Sequence, residues 1–302
     1  MRILLTYFIC LLFALNVNGQ ENEQEVKPVN KARFIGTSSV LGVGWVSSIL
    51  SLKYVWYSQF DKSKFHFFDD AHEWQQMDKL GHTTTAWNLA RISGDLYKWS
   101  GIDHKKSALI GSGFSFAYLT TFEFLDAYNS KWGFSWSDMG ANTFGSLLYF
   151  SQAYFWDKQL VKIKFSIHQT ELAKYRPNVL GEDFLSRAFK DYNGQTYWLT
   201  WNSFNLLQDK VKVPKWITLA VGYSINNQIS GDGGIYIIQE NGNQINFEPY
   251  RQLFFSIDFD LEEIPVKAKW LKVVLRGLNI IKIPMPTLEL SQGKLAFHPL
   301  YF

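Results

Sequence analysis

At Val161 the spacing of apolar residues changes, and that change constrains this chain more than any single motif in it. Before it, apolar residues come in runs of helical length. After it, Val161, Ile163, Phe165 and Ile167 alternate with Lys162, Lys164, Ser166 and His168, the period of a strand with two unlike faces. Ile217, Leu219, Val221, Tyr223 and Ile225 repeat the pattern with Thr218, Ala220, Gly222 and Ser224 between them, and Leu253 to Leu261 repeats it again. Large apolar residues on one face and small or polar ones on the other suit a membrane barrel strand, and equally a sheet packed on helices. "IYIIQENGNQINF" reads as a hairpin turning on Asn241-Gly242. A short helix is expected over Val266 to Leu278, and Ile283-Pro284-Met285-Pro286 belongs at a sheet edge or bulge, because proline has no N–H for a ladder.

Upstream, four helices are expected: one from Ile35 to Tyr57, one from Asp70 to Trp99, one from Ser107 to Tyr128, and one after "KWGFSWSD" running past Trp156. Ser135 or Ser137 is the expected N-cap of the last, and His72-Glu73 of the second. The first and third are apolar but diluted by Gly and Ser, which lets helix backbones approach closely. A helix of some twenty residues is about 30 Å long, enough to span a bilayer.

Residues 1–19 have the features of a cleavable secretory leader: Arg2, an apolar run from Leu4 to Leu15, then Val17-Asn18-Gly19 before the polar "QENEQE". The chain is therefore expected to be exported. Its one cysteine, Cys10, lies in the apolar run, so no disulfide framework is expected and packing must supply the stability. The formal charge of +3 is scattered, without a block of like charges, which excludes the electrostatic footprint of a nucleic-acid binder. Aromatic residues make up 17% of the chain, and because Tyr and Trp join an apolar body to a polar handle, this points to membrane contact.

Polar residues recur at helical spacing on three of the expected helices. Asp78 and His82 stand i,i+4, Glu123 and Asp126 i,i+3, and Asp138 and Asn142 i,i+4, with Lys79 beside the first pair. Six hydrogen-bonding groups can then meet inside a bundle. Asp78, His82, Glu123 and Asp138, with an amide oxygen from Asn142, would suit a divalent metal, although no cofactor is required by any motif. Glu123 as general base with His82 as partner, and Lys79 steadying an anion, is the acid–base alternative. The third reading is a seam: buried carboxylates must be paired, and an Asp–His or Glu–Lys network can exist to be satisfied and to fix helix register. Thr83, Thr84 and Thr85 beside His82 could satisfy it internally, which favours the seam. Neither HExxH, a Gly-rich phosphate loop nor GxSxG occurs.

"DKLGH" (78–82), "FEFLD" (122–126), "GFSWSD" (133–138), Asn142 and Gly145 together resemble the DUF2279 family, which includes the YfiM-type predicted periplasmic lipoproteins. A more distant likeness is to VanZ-like membrane proteins, which show a similar order of Asp-Lys-x-x-His, a helical Glu, and Asp-x-x-x-Asn-x-x-Gly. "KDYNGQTYWLT" (190–200) and the ending "FHPLYF" are similar to longer envelope members of the first family. The resemblance implies a location in the cell envelope and no established activity. A lipidation cysteine expected of lipoprotein members has no counterpart after residue 19.

The expectation is thus an α+β, membrane-associated protein: a leader (1–19), an N-terminal bundle of about four helices (20–160), and a C-terminal antiparallel β half (161–302) forming a sheet or a partial or small barrel. Its expected place is the outer membrane or periplasm of a Gram-negative cell, with the inner membrane as alternative. A membrane or lipid is the expected partner, with an envelope protein also possible and nucleic acid excluded. A structural or lipid- or partner-binding role is favoured over a hydrolase acting on a lipid or cell-wall precursor.

Overall fold

The computed structural model describes residues 28–202, 213–240 and 242–302. The expected leader, Cys10 and Asn241 lie outside the described residues. Helices dominate the N-terminal half and one large antiparallel sheet the C-terminal half, so the α+β expectation holds. Packing divides the chain into a helical unit (the residues up to Asp70, His82–Gln159 and Val266–Gly277) and a sheet unit (Ala71–Gly81, Leu160–Pro265 and Leu278–Phe302).

Four long helices build the first unit: α1 (Lys31–Ser51), α2 (Met77–Trp99), α3 (His104–Asp126) and α4 (Trp136–Trp156). Three of them have a local reason to start where they do. Asn30 caps α1 by accepting from the Arg33 amide, Asp103 caps α3 from the amides of Lys105 and Lys106, and Ser135 caps α4 from that of Asp138. The third helix therefore begins at His104, three residues before the expected Ser107. The α2 expectation also needs correction: the helix begins at Met77, not Asp70, because Trp74, Gln75 and Gln76 are left-handed, at φ 49°, 48° and 70°. Tertiary bonds hold them so. The Trp74 amide donates to the Gly231 carbonyl (2.8 Å) and Gln75 to Gln228 (3.1 Å), and His72 caps nothing with its side chain.

The interior of this unit mixes large apolar side chains, Trp87, Ile92, Leu96, Leu119 and Tyr149 among them, with many small and polar ones. The buried faces include Thr37, Leu41 and Ser48 on α1, Ser107, Ala108, Gly111, Ser112, Ser115 and Leu119 on α3, and Gly145, Ser146, Tyr149, Gln152 and Ala153 on α4. Small residues let backbones close up, and hydroxyls then bond across: Ser115 to the Ala86 carbonyl (2.8 Å), Ser112 to that of Ser146 (3.1 Å), Ser93 to that of Gly111 (3.1 Å). The outer faces carry Ile35, Val43 and Val46, Leu109 and Phe116, and Phe144, Leu147 and Phe155, all exposed. This reverses the polarity of a helix in water. By length and composition α3 and the helical stretch Lys31–Gln59 are each able to cross a membrane.

The sheet unit holds six antiparallel strands in the order β1 (Val161–Ile167), β2 (Gln195–Trp201), β3 (Ile217–Asn226), β6 (Tyr250–Phe259), β7 (Met285–Ser291) and β8 (Lys294–Tyr301). The expected hairpin is present as a separate pair, β4 (Tyr236–Glu240) with β5 (Asn243–Phe247). β2 and two short helices, α5 (Pro177–Leu180) and α6 (Phe184–Lys190), were not expected from spacing. β7 is flanked by β6 and β8, so the Pro284–Pro286 segment is not at an edge; Pro286 sits where the β7–β8 register shifts, which is the bulge alternative. β1 and β8 are the two edges, and the sheet does not close into a barrel.

Register turns the alternation of each strand into rows across all six. One row reads Ile163, Leu199, Val221, Phe255, Leu288, Phe297, and the next, on the other face, reads Lys164, Trp198, Gly222, Phe254, Glu289, Ala296. The row that carries the charges is buried from Lys164 to Glu289, together with Trp198 and Phe254, and Ala296 on β8 is exposed. Lys164 meets Asp258 at 2.6 Å with both side chains fully buried, Lys162 meets Asp260 at 2.8 Å, and Glu289 meets His298 at 2.7 Å. Tyr301 on β8 reaches Thr196 on β2 (3.1 Å) over Trp198 and Phe254, so the sheet curls over its polar face. Along the apolar row Ile163 is 4% exposed and Val221 is half-buried, whereas Leu199, Leu288 and Phe297 are 46%, 48% and 62% exposed.

Candidate functional site

Three helices of the first unit bring His82, Glu123, Asp138 and Asn142 together. His82 lies early in α2, Glu123 in the last turn of α3, and Asp138 and Asn142 in the first two turns of α4. A relay of hydroxyls sets the α4 end: Ser135 and Ser137 each donate to Asp70 at 2.6 Å, and Ser135 accepts from the Asp138 amide at 3.0 Å. Asp138 thereby sits at a helix N-terminus, where the helix dipole favours its charge. Gly145, one turn after Asn142, lies so close to the Thr83 carbonyl and the Ala86 methyl that a side chain there would clash, which brings α4 against α2 at this level.

His82 Nδ1 lies 3.0 Å from Asn142 Oδ1, and Asn142 Nδ2 donates to Glu123 Oε1 at 3.4 Å. The amide's oxygen faces the imidazole and its nitrogen faces the carboxylate, so His82 Nδ1 is the donor in this chain. The other ring nitrogen, Nε2, stands 3.6 Å from Asp138 Oδ1, and Nδ1 is 3.7 Å from Glu123. Glu123, Asp138 and Asn142 are buried; the His82 side chain is a quarter exposed. Two buried carboxylates around one imidazole call for a positive charge, from the imidazolium or from a bound cation.

The other expected members take other partners. Asp126 accepts from Tyr57 at 2.6 Å, which ties the end of α3 to the segment after α1. Asp78 pairs with Lys79 at 2.9 Å and accepts from Tyr192 at 2.8 Å, both within the sheet unit. Asp78 and His82 remain one turn apart on the same helix. Of the threonines, Thr83 donates to the Ala141 carbonyl (3.3 Å), Thr84 is buried and Thr85 is exposed. Tyr57, Tyr192 and Asp70 were missed, since each acts on a residue more than sixty positions away and no local spacing marks it.

Residues 66–153 match the DUF2279 family, described as a predicted periplasmic lipoprotein. The match bears out the resemblance carried by "DKLGH", "FEFLD" and "GFSWSD", and it spans α2, α3 and α4 with the whole polar constellation. No curated protein and no solved structure matches this chain.

Proposed function

We propose that this is a cell-envelope protein seated in the outer membrane, with a structural or lipid- and partner-binding role, in which the His82 cluster fixes the register of α2, α3 and α4. The observation that carries this reading is the reversed polarity of both units. Helices α1, α3 and α4 bury many hydroxyls and glycines beside Leu41, Leu119 and Tyr149 and expose valine, leucine and phenylalanine, and the sheet buries Lys164 and Glu289 with Trp198 and Phe254 while Leu199, Phe255 and Leu288 are exposed. In water that arrangement forfeits roughly 25 cal/mol for each Å² of apolar surface left wet; against hydrocarbon it costs nothing. Trp136 and Trp156, both exposed, stand at the two ends of the 21-residue α4, about 30 Å apart, as interfacial anchors do. The family description supports an envelope location.

Expression in a Gram-negative host, alkaline carbonate extraction and separation of the two membranes by density test this. The protein is expected to stay in the carbonate pellet and band with the outer membrane. Recovery in the soluble periplasm would refute lipid seating, and banding with the inner membrane would refute the outer-membrane assignment.

A second reading, hydrolysis of a lipid or cell-wall precursor by acid–base or metal chemistry, is favoured by the placing of His82 between two buried acids, its ring nitrogens 3.7 Å from Glu123 and 3.6 Å from Asp138. Such a histidine can pass a proton between them or share a divalent ion with Asp138. This reading requires stoichiometric metal by elemental analysis, or an envelope phenotype lost in His82→Ala and Glu123→Gln at unchanged folding. If both variants keep the phenotype and no metal is found, the seam reading stands alone.

A further inference from the structure

Helix α7 (Lys269–Leu278) is polar on one side and apolar on the other. Lys269, Lys272 and Arg276 fall at i, i+3 and i+7, and Trp270, Val274 and Leu278 at i, i+4 and i+8 on the opposite side. Arg276 ties it to the protein, while Lys269 and Lys272 are exposed and Leu271, Val273 and Leu275 are half-buried. Arg276 makes two bonds to Asp95 of α2, at 2.7 and 2.6 Å, and its carbonyl accepts from the Arg91 guanidinium at 3.4 Å. No residue of the helix is buried; Trp270 is 65% exposed, and Val274 and Leu278 are exposed as well. A helix packed on a water-soluble protein covers its apolar stripe, whereas Trp270, Val274 and Leu278 stay exposed here. Lys267, Lys269 and Lys272 are exposed along its polar rim, and residues 266–278 contain no acid at all. A tryptophan-bearing apolar stripe bordered by unopposed lysines is the make-up of a helix lying at the level of lipid headgroups, with charge complementary to phosphate.

We infer that α7 lies in the plane of an anionic leaflet, with Trp270, Val274 and Leu278 among the acyl chains and Lys267, Lys269 and Lys272 on lipid phosphates. The inference rests on the lipid seating proposed above and adds the class of lipid and the element that selects it. The Arg276–Asp95 pair is its positioning device, since it sets which side of the helix turns outward.

The test uses the full chain, with Cys10→Ser as background, purified in a neutral detergent. A nitroxide label on Val274→Cys should be relaxed by oxygen and shielded from a water-soluble nickel chelate in vesicles containing phosphatidylglycerol, and a label on Lys272→Cys should show the opposite. In mixed micelles at low salt, phosphatidylglycerol should raise the unfolding temperature at lower mole fraction than phosphatidylcholine does. Replacing the three lysines by glutamine should raise the half-saturating fraction by about fivefold per lysine, roughly a hundredfold together. Equal action of the two lipids, or an unchanged preference in the triple variant, overturns the anionic-leaflet inference while a lipid-exposed Val274 leaves the seating intact. A Val274 label open to the nickel chelate overturns the placement of α7, and a protein found wholly soluble overturns both.

Discussion

Gly111 and Gly113 stand two residues apart on α3 and should respond oppositely to the same substitution. A methyl at Gly111 would meet the Ala90 carbonyl oxygen and the Gly94 nitrogen at 2.5 Å and the Gly94 α-carbon at 2.7 Å, all backbone of α2, which cannot swing aside as a side chain can. Ordinary contact begins about 1 Å further out, so α2 and α3 must part, weakening the Ser93–Gly111 bond of 3.1 Å as they do. Overpacking of this kind costs about 1–3 kcal/mol. Around Gly113 nothing lies within 4 Å, so Gly113→Ala meets no obstacle and should gain up to about 1 kcal/mol from the better helix propensity of alanine. Thermal unfolding in detergent, followed by circular dichroism at 222 nm, should place Gly111→Ala below the parent and Gly113→Ala at or above it. Equal effects, or a harmless Gly111→Ala, would refute the close approach of the two helices.

Two further outcomes follow from the sheet's polar face. Lys164 and Asp258 approach to 2.6 Å, and Lys164 also donates to the Phe259 carbonyl at 2.7 Å. Asp258→Asn should then cost about 3–5 kcal/mol by leaving a buried ammonium unpaired, while Lys164→Met with Asp258→Leu should recover much of it; equal stability of the single and double variants would contradict this. Lys282, 2% exposed and 4.6 Å over the Trp198 ring, is lowered to about 8, chiefly by burial. Its folded value lies below its unfolded one, so burial costs about 3 kcal/mol that is fully present below pH 8 and relieved as pH rises toward 10.5. Lys282→Met should therefore stabilise the protein at pH 7 and flatten the alkaline gain in denaturant midpoint between pH 8 and 10; an unchanged pH profile would exclude the depressed ammonium.

Much of this architecture was legible along the chain because its signals are local. The alternation beginning at Val161, the Ser135 cap and the spacing of Asp138 and Asn142 depend on residues a few positions apart, so period and capping report them directly. The start of α2 was misread at Asp70 because propensity cannot foresee that Trp74 and Gln75 are held left-handed by partners at Gly231 and Gln228. The constellation was legible as pairs and not as a whole: helical spacing put Glu123 and Asp126 on neighbouring positions of one face, yet Asp126 belongs to Tyr57 while Glu123 belongs to Asn142 and His82.

By itself, then, the sequence determined that there are helices before Val161 and two-faced strands after it, and which residues share each face, because those are matters of period. Tertiary structure alone decided which face is inside. A row of Lys164, Trp198 and Glu289 and a row of Ile163, Leu199 and Leu288 are equally good faces of a strand; only the register across six strands and the packing on one side of them show that lysine and glutamate are buried and leucine is left facing out. Burial is a property of the whole fold and of the solvent around it, and for this chain that solvent is, on our proposal, in large part lipid.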